Sequence, residues 1–438
     1  MCAAALPHHA PPRSMNEPQL PSNNDTHSVV VLGAGIVGAC VALVLQRRGT
    51  PVTLIDSLPP GSETSYGNAG LISVDSCIPI SLPGMVWQAP RWLLDANGPL
   101  AIRPAYLPQA MPWLVRWLLA GRRGPVLQAA VALHDLHRQA LTQYRDLLGD
   151  GAFADLIRVR GQLHVWSRSG RPSTADRLID EIRARQGISV SRLDAAAVAR
   201  RVPGLRTDIS QGIGFDNHAH CVNPQRMVQT LVKQFQALGG QLVHERVQRL
   251  QPLENTGWRL WTNAGSRDTM RIVLATGAHT QGLLAPLKVS IPMEVERGYH
   301  VELPDPGISL SLPFIDKDRA VAVTPMEHGL RFAGTAEFAG LRHPPDPRRT
   351  DALLVAARQL FPGIRTGGAR TWLGYRPSTP DSVPIIGPVA SHPGLLLACG
   401  HGHTGLTGSP MTAQLVAYWL QGMPPPIDPS PYRLERFS

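Results

Sequence analysis

A chain of 438 residues with 43% apolar and 17% charged residues is long enough for roughly two or three lobes, and its composition excludes an intrinsically disordered protein. The five cysteines (Cys2, Cys40, Cys77, Cys221, Cys399) are scattered, odd in number and without a CxxC pair, which argues against a disulfide scaffold and a zinc ribbon. The net charge of +10 comes almost wholly from dispersed arginines, with lysine only at Lys233, Lys288 and Lys317, so no basic stripe for nucleic acid is expected.

Residues 1–26 are rich in Pro, His, Asn and Ser and read as a disordered leader. Asp25 and Glu17 interrupt any signal-peptide pattern, so cytoplasmic residence is the default expectation. The apolar run Val29 to Leu45 is broken by Gly33, Gly35 and Gly38, and reads as a strand and a helix, not a membrane span. Strand-like Val29 to Gly33, a helix from Ile36 to Arg48 stopped at Gly49, and a second strand ending at Asp56 make a β-α-β unit. Trp87 to Arg123 is dense in Trp, Pro and Leu. Within it Trp113 and Trp117 lie one helical turn apart on a face expected to enter the core, with a lipid surface as the alternative.

Helical patterns follow at Val126 to Leu148, Ala175 to Gln186 and Asp194 to Leu205. Asn223 before Pro224 is a helix-start signal, and Gly239 ends that helix before another strand. Trp258 to Gly265 suggests a hairpin, and Arg271 to Thr280 a buried strand stopping at a glycine turn. Val289 to Phe338 alternates like antiparallel strands, and a helix is expected from Arg349 to Leu360. Leu395 to Leu420 reads as strand, Gly-rich turn and final helix.

Gly33-Ala34-Gly35-Ile36-Val37-Gly38 matches GxGxxG in the setting that gives it meaning, with Asp56 twenty-three residues beyond the first glycine. Gly33 permits the turn, Gly35 admits a pyrophosphate to backbone N–H groups, and Gly38 allows close helix–strand contact. Asp56 is placed to accept hydrogen bonds from ribose hydroxyls and argues against a phosphate there. FAD and NAD share this fingerprint. Only one GxGxxG occurs, so a separate nicotinamide-nucleotide domain is not apparent and electrons are expected to enter from a substrate lying against a flavin.

GAGIVG (33–38), SETSYGNAG (62–70), RGYH (297–300), GYRPSTPDSVPIIG (374–387) and GHGHTG (400–405) occur in the order seen in the D-amino acid oxidase superfamily of FAD-dependent oxidoreductases. The chain resembles its D-amino acid dehydrogenase branch most. The resemblance implies an α/β (α+β) two-lobed fold, with a Rossmann-type FAD-binding lobe on a parallel sheet and an antiparallel-sheet substrate lobe. It assigns 27–75, 206–284 and 370–438 to the first and 76–205 and 285–369 to the second. The FAD is expected to be noncovalent, because some sarcosine-oxidase-like relatives tether flavin through a Cys where this chain has Gly374-Tyr375-Arg376.

The implied reaction is oxidative deamination of a D-amino acid, with hydride transfer from Cα to flavin N5 and electrons passed to a quinone or other respiratory acceptor. A cyclic or N-methyl amino acid (D-hydroxyproline, sarcosine) or a 2-hydroxy acid is the alternative substrate. Peripheral contact with the cytoplasmic face of the inner membrane is a further implication, with Arg91, Arg103, Arg116, Arg122 and Arg123 near that surface. A flavin-binding module without turnover is disfavoured by the intact motifs.

Arg376 is expected to hold the substrate carboxylate, since a guanidinium offers two parallel hydrogen bonds to it. Tyr299 is expected to face the substrate, with a packed tyrosine as the alternative, and Tyr66 to line the site or fill space beside it. For the cofactor the resemblance points to Gly33, Gly35, Ile36, Val37, Gly38, Asp56, Ser65, Asn68, Ala69, Val247, Thr276, Gly277, His401, Gly402, His403, Thr404 and Gly405. Arg297 is expected to pair with Glu294 or Glu296. No metal is expected: His401 and His403 lie on a glycine turn without a carboxylate or Cys at ligand spacing.

Overall fold

The structure, a computed structural model, describes residues 28–85, 100–167, 173–254 and 257–438. The expected leader (1–26), Trp87 and Arg91 lie outside these residues.

Short runs of Val, Ile and Leu with no polar alternation build a sheet covered on both faces. Its strand order is Gln241–His244, Val52–Asp56, Val29–Leu32, Arg271–Leu274, Leu395–Cys399 and Ile385–Pro388, parallel except for the last pair. Alternation along Val29–Leu32 divides the burial. Val29 and Val31 join a core made with the helices Ile36–Arg47, Pro224–Ala237 and Gly405–Gln421, while Val30 and Leu32 pack toward Trp258 and Leu260 of a small antiparallel sheet. The Asn223 side chain accepts from the Arg226 N–H and Pro224 follows it, as the helix-start signal requires.

The second sheet runs Arg370–Ser378, Glu294–Leu303, Gly329–Phe338, Val321–Met326, Phe314–Asp316, Gln162–Trp166, Gln211–Phe215 and Ser191–Asp194. It is largely antiparallel, with parallel contacts only where Phe314–Asp316 meets Gln162–Trp166 and where Leu100–Ile102 meets Gly329–Phe338. One face packs on the helices Ala195–Arg201 and Pro347–Leu360 through Val198, Leu353, Ala356 and Leu360. The other face meets the loop carrying Tyr66 and Asn68, through the contacts described below.

Three boundaries of the expected lobes are corrected by this topology. Gln211–Phe215 and Arg370–Ser378, expected in the FAD lobe, are strands of the second sheet. The segment 123–148, expected in the substrate lobe, contributes Leu133, Leu136, Tyr144 and Leu147 to the core of the parallel-sheet lobe. The cause is long-range pairing: a strand joins whichever sheet offers it unpaired backbone groups, and motif order carries no information about that. The helix expected from Val126 to Leu148 is in fact two, Arg123–His137 and Ala140–Leu148.

Trp113 and Trp117 are buried against Phe338, while Met111, Val115, Leu118 and Leu119 on the same helix, Leu107–Ala120, are exposed. No helix among the described residues is long and apolar enough to cross a membrane.

Candidate active site

The C-terminal ends of the parallel strands converge on one edge, the place where open α/β sheets bind ligands. Gly33 leaves its strand with φ +101°, and a side chain on it would strike the Ala275 carbonyl oxygen at 2.5 Å. A Cβ on Gly38 would fall 1.8 Å from the Gly33 oxygen, so the helix can approach this closely only through glycine. Asp56 Oδ2 accepts from the Ala34 N–H (2.7 Å) and Oδ1 from the Leu58 N–H (2.9 Å), which pins the carboxylate beside the turn with lone pairs left over. The Ser65 hydroxyl accepts from the Ile36 N–H (2.9 Å).

Val37, Thr276 and Gly277 lie at the same edge. Val247 follows closely on His244, which is in register with Asp56. Gly35 caps the 36–47 helix without a side chain, and a Cβ there would meet only the Ser65 hydroxyl, at 3.3 Å. A glycine-capped helix N-terminus next to a pinned carboxylate is a donor set that fits a dinucleotide: pyrophosphate on the amides beyond Ile36, ribose on Asp56.

The 62–70 loop lies against the open face of the second sheet. The Asn68 side chain donates to the Ser65 carbonyl (2.7 Å) and accepts from the Gly70 N–H (2.6 Å), so both ends of its amide have partners inside the loop. Arg331 pairs with Glu302 (2.7 Å) and donates to the carbonyls of Tyr66 (3.0 Å) and Asn68 (2.7 Å), fastening the backbone that leads into Ala69. His300 Nδ1 donates to the Gly67 carbonyl (2.9 Å), and its ring stacks on Trp372 at 5.2 Å. Burial, and then Arg331 nearby, lowers the His300 pKa to about 3, so the imidazole stays neutral. Tyr66 sits among His300, Trp372 and the Arg331 guanidinium.

Arg376 is in register with Glu296, and its Nη1 donates to Glu296 Oε1 (2.6 Å) and to the Thr335 carbonyl (3.0 Å). The guanidinium lies over Gly298, where a Cβ would fall 2.2 Å from Nη2. Thr335 holds its carbonyl there at φ +61°, a left-handed conformation that a β-branched residue rarely adopts and that the surrounding structure must impose. His403 Nε2 is 2.7 Å from the same Glu296 oxygen, and the Ser378 hydroxyl donates to Oε2 (3.2 Å). Burial alone raises the Glu296 carboxyl, but His403 and Arg376 beside it outweigh that and hold it down at about 2. The Gly402 N–H donates to the Pro377 carbonyl (2.8 Å), so the glycine turn and the Arg376 strand are joined directly. His401 turns inward to Thr412 (2.8 Å), and burial lowers its pKa to about 3. Thr404 caps the 405–421 helix without a side-chain bond, leaving the amides that follow Gly405 open.

Tyr299 is a correction. Strand alternation puts it on the face opposite Arg376, where its hydroxyl donates to Glu337 (2.6 Å) and accepts from the Asp346 N–H (3.0 Å). With burial and Glu337 pushing it up to about 12, it is a packed, satisfied phenol and presents nothing to a substrate. Arg297 shares that face and pairs with Glu337, not with Glu294 or Glu296.

Sequence reasoning missed Glu296 and Gly298 as neighbours of Arg376, and His300 further along the same face. The available signal was the period of two along Glu294–Leu303, which lines up Glu294, Glu296, Gly298, His300 and Glu302. Among the described residues, no group of three or more His, Cys, Asp or Glu has the geometry to hold a metal ion.

A dinucleotide cradle set against a sheet that carries an accessible guanidinium defines a flavin-dependent oxidoreductase of two lobes. Residues 28–419 match the family described as FAD dependent oxidoreductase (DAO), and the chain belongs to that family, with FAD as its cofactor. A D-amino-acid oxidase of Bradyrhizobium diazoefficiens is 36% identical over 416 residues, 93% of this chain and 98% of that protein. A D-amino acid dehydrogenase of Rhizobium johnstonii is 29% identical, covering 94% of this chain and 100% of that protein. Among solved structures, iminodiacetate oxidase of a Chelativorans species superposes with a TM-score of 0.71 at 22% identity, over 93% of this chain and 98% of that one. Glycine oxidase of Geobacillus kaustophilus gives 0.66 at 20% identity, over 93% and 99%. At these identities the two structures establish a shared fold.

Proposed function

We propose that the enzyme oxidises the Cα–N bond of a D-amino acid to an imine, which water hydrolyses to a 2-oxo acid and ammonia. The observation that carries this reading is Arg376: a guanidinium with 19% of its side chain exposed, seated over a glycine and joined through Pro377 to the glycine turn at the helix N-terminus. Such a group binds a carboxylate bidentately. The names of the two relatives above, a D-amino-acid oxidase and a D-amino acid dehydrogenase, support the amino acid class.

FAD, when bound, supplies the acceptor for the hydride leaving Cα. The chain's own part is positional. The Gly33–Gly38 turn and Asp56 hold the dinucleotide noncovalently, with Ser65, Ala69, Val247, Thr276, Gly277 and the 401–405 turn along its length. Arg376 orients the substrate, and Tyr66 lines its approach.

Electrons then pass to a quinone or another respiratory acceptor. The exposed Met111, Val115, Leu118 and Leu119, with Arg116, Arg122 and Arg123 close by in the chain, supply an apolar surface with a basic rim for peripheral contact with the cytoplasmic face of the inner membrane.

The purified protein should be yellow, and anaerobic addition of D-amino acids should bleach it. Bleaching by sarcosine or glycolate, with none by any D-amino acid, contradicts the reading.

A further inference from the structure

We infer that His403, braced by Glu296, is the base that takes the proton from the substrate ammonium, so that Arg376, Glu296 and His403 together form a receptor for a zwitterion. The inference rests on the amino acid reading above and adds to it a residue that acts on the amine.

An α-amino acid carries its carboxylate and its amine on one carbon. A group that grips the first and a group that acts on the second must therefore be near neighbours on one surface. Glu296 Oε1 supplies that arrangement: Arg376 Nη1 lies 2.6 Å from it and His403 Nε2 lies 2.7 Å from it. The carboxylate itself is nearly sealed at 5% exposure, whereas the His403 side chain is 42% exposed. The imidazole is thus the most exposed member of the trio, ahead of Arg376 at 19%, and it lines an open cleft with Ser76, Ile80, Thr379 and Ser382.

The chemistry follows from the tautomer. With Nε2–H donating to Glu296, the Nδ1 lone pair is left free to accept. An ammonium has no lone pair to form C=N, so its proton must leave before or as the hydride does. The N–H bond breaks, the proton bonds to Nδ1, and the electron pair remains on the substrate nitrogen, where it forms the imine bond as the hydride departs to FAD. Glu296 then stabilises the imidazolium, the role a carboxylate behind a histidine plays in hydrolytic triads. Charge balance favours this transfer, because the substrate carboxylate neutralises Arg376 and leaves Glu296 to offset the imidazolium. The charged groups facing the imidazole are Glu296 from the Glu294–Leu303 strand and Arg376 from the Arg370–Ser378 strand. His401, on the same turn, points away to Thr412 and stays neutral.

The test uses holoenzyme and His403→Gln. Anaerobic flavin reduction by a D-amino acid should slow by about 10²–10⁴-fold near neutral pH, the usual worth of a positioned acid or base. The loss should shrink as pH rises, because solution increasingly supplies the free amine. Rates are taken per bound FAD, and the affinity for a simple carboxylate that perturbs the flavin spectrum should be unchanged, since Arg376 is intact. His403→Gln and wild type keeping parallel pH profiles would overturn the assignment. Glu296→Gln gives a second reading: it should slow flavin reduction in the same direction, with a smaller loss that likewise shrinks as pH rises, and a rate unchanged at every pH would also overturn the assignment. Wild type that no D-amino acid reduces would instead overturn the substrate reading, so the two failures are separate.

Discussion

The strand Glu294–Leu303 carries an arginine–glutamate pair on each of its two faces, and the pairs have opposite fates. On one face Arg297 and Glu337 are 0% and 2% exposed, and Glu337 also takes bonds from Tyr299 and Arg103. On the other, Arg376 keeps 19% of its surface and Glu296 shares an oxygen with the exposed His403. Identical charges do different jobs because one pair is closed by protein on every side and the other has an opening. A buried pair stabilises the fold only while both partners remain, whereas an accessible one can exchange partners with a ligand.

Removing one member of the sealed pair should give the largest change in stability. Glu337→Ala leaves Arg297 as a buried unpaired cation and should cost about 3–5 kcal/mol, read as a lowered thermal transition. The folded fraction should keep its half-saturating substrate concentration, and a large rise in that concentration would erase the distinction between the faces. On the accessible face, Gly298→Ala should displace the Arg376 guanidinium and lower kcat/KM by about 100-fold, the penalty of a misplacement of order 1 Å, with FAD content unchanged.

Tyr299→Phe sharpens the correction. Loss of a hydroxyl bonded to Glu337 and to the Asp346 amide should cost about 1–2 kcal/mol of stability and leave substrate saturation alone. A further effect concerns pH. Because the folded-state pKa of Glu296 is depressed, its contribution is complete above about 4.5 and is lost as pH falls toward about 2. Acid titration of stability should therefore show a steeper slope across that window in wild type than in Glu296→Gln, where other depressed carboxylates such as Asp75 and Asp346 remain.

The parallel-sheet lobe was legible because its signals are local: the GxGxxG turn, Asp56 at the next strand end, and the Asn223-Pro224 helix start each depend on a few adjacent residues. On the open face of the second sheet the sequence singled out only Arg376. Its partner Glu296 is 80 residues away in sequence and becomes a neighbour through antiparallel register, which no local pattern fixes. Tyr299 shows the same limit from the other side. In a strand the face of a residue is a question of parity, and RGYH does not say which member points at the ligand. The lobe boundaries failed for a related reason, since Gln211–Phe215 and Arg370–Ser378 found their partners in the more distant sheet.

The most direct test of Arg376 as the substrate's anchor is anaerobic rapid mixing of D-amino acid with wild-type and Arg376→Ala holoenzyme, following loss of the flavin's visible absorbance. Equal FAD content is expected, with a half-saturating concentration raised at least about 30-fold in the variant, the lower end for breaking a hydrogen-bonded charge pair. Superimposable saturation curves would contradict it.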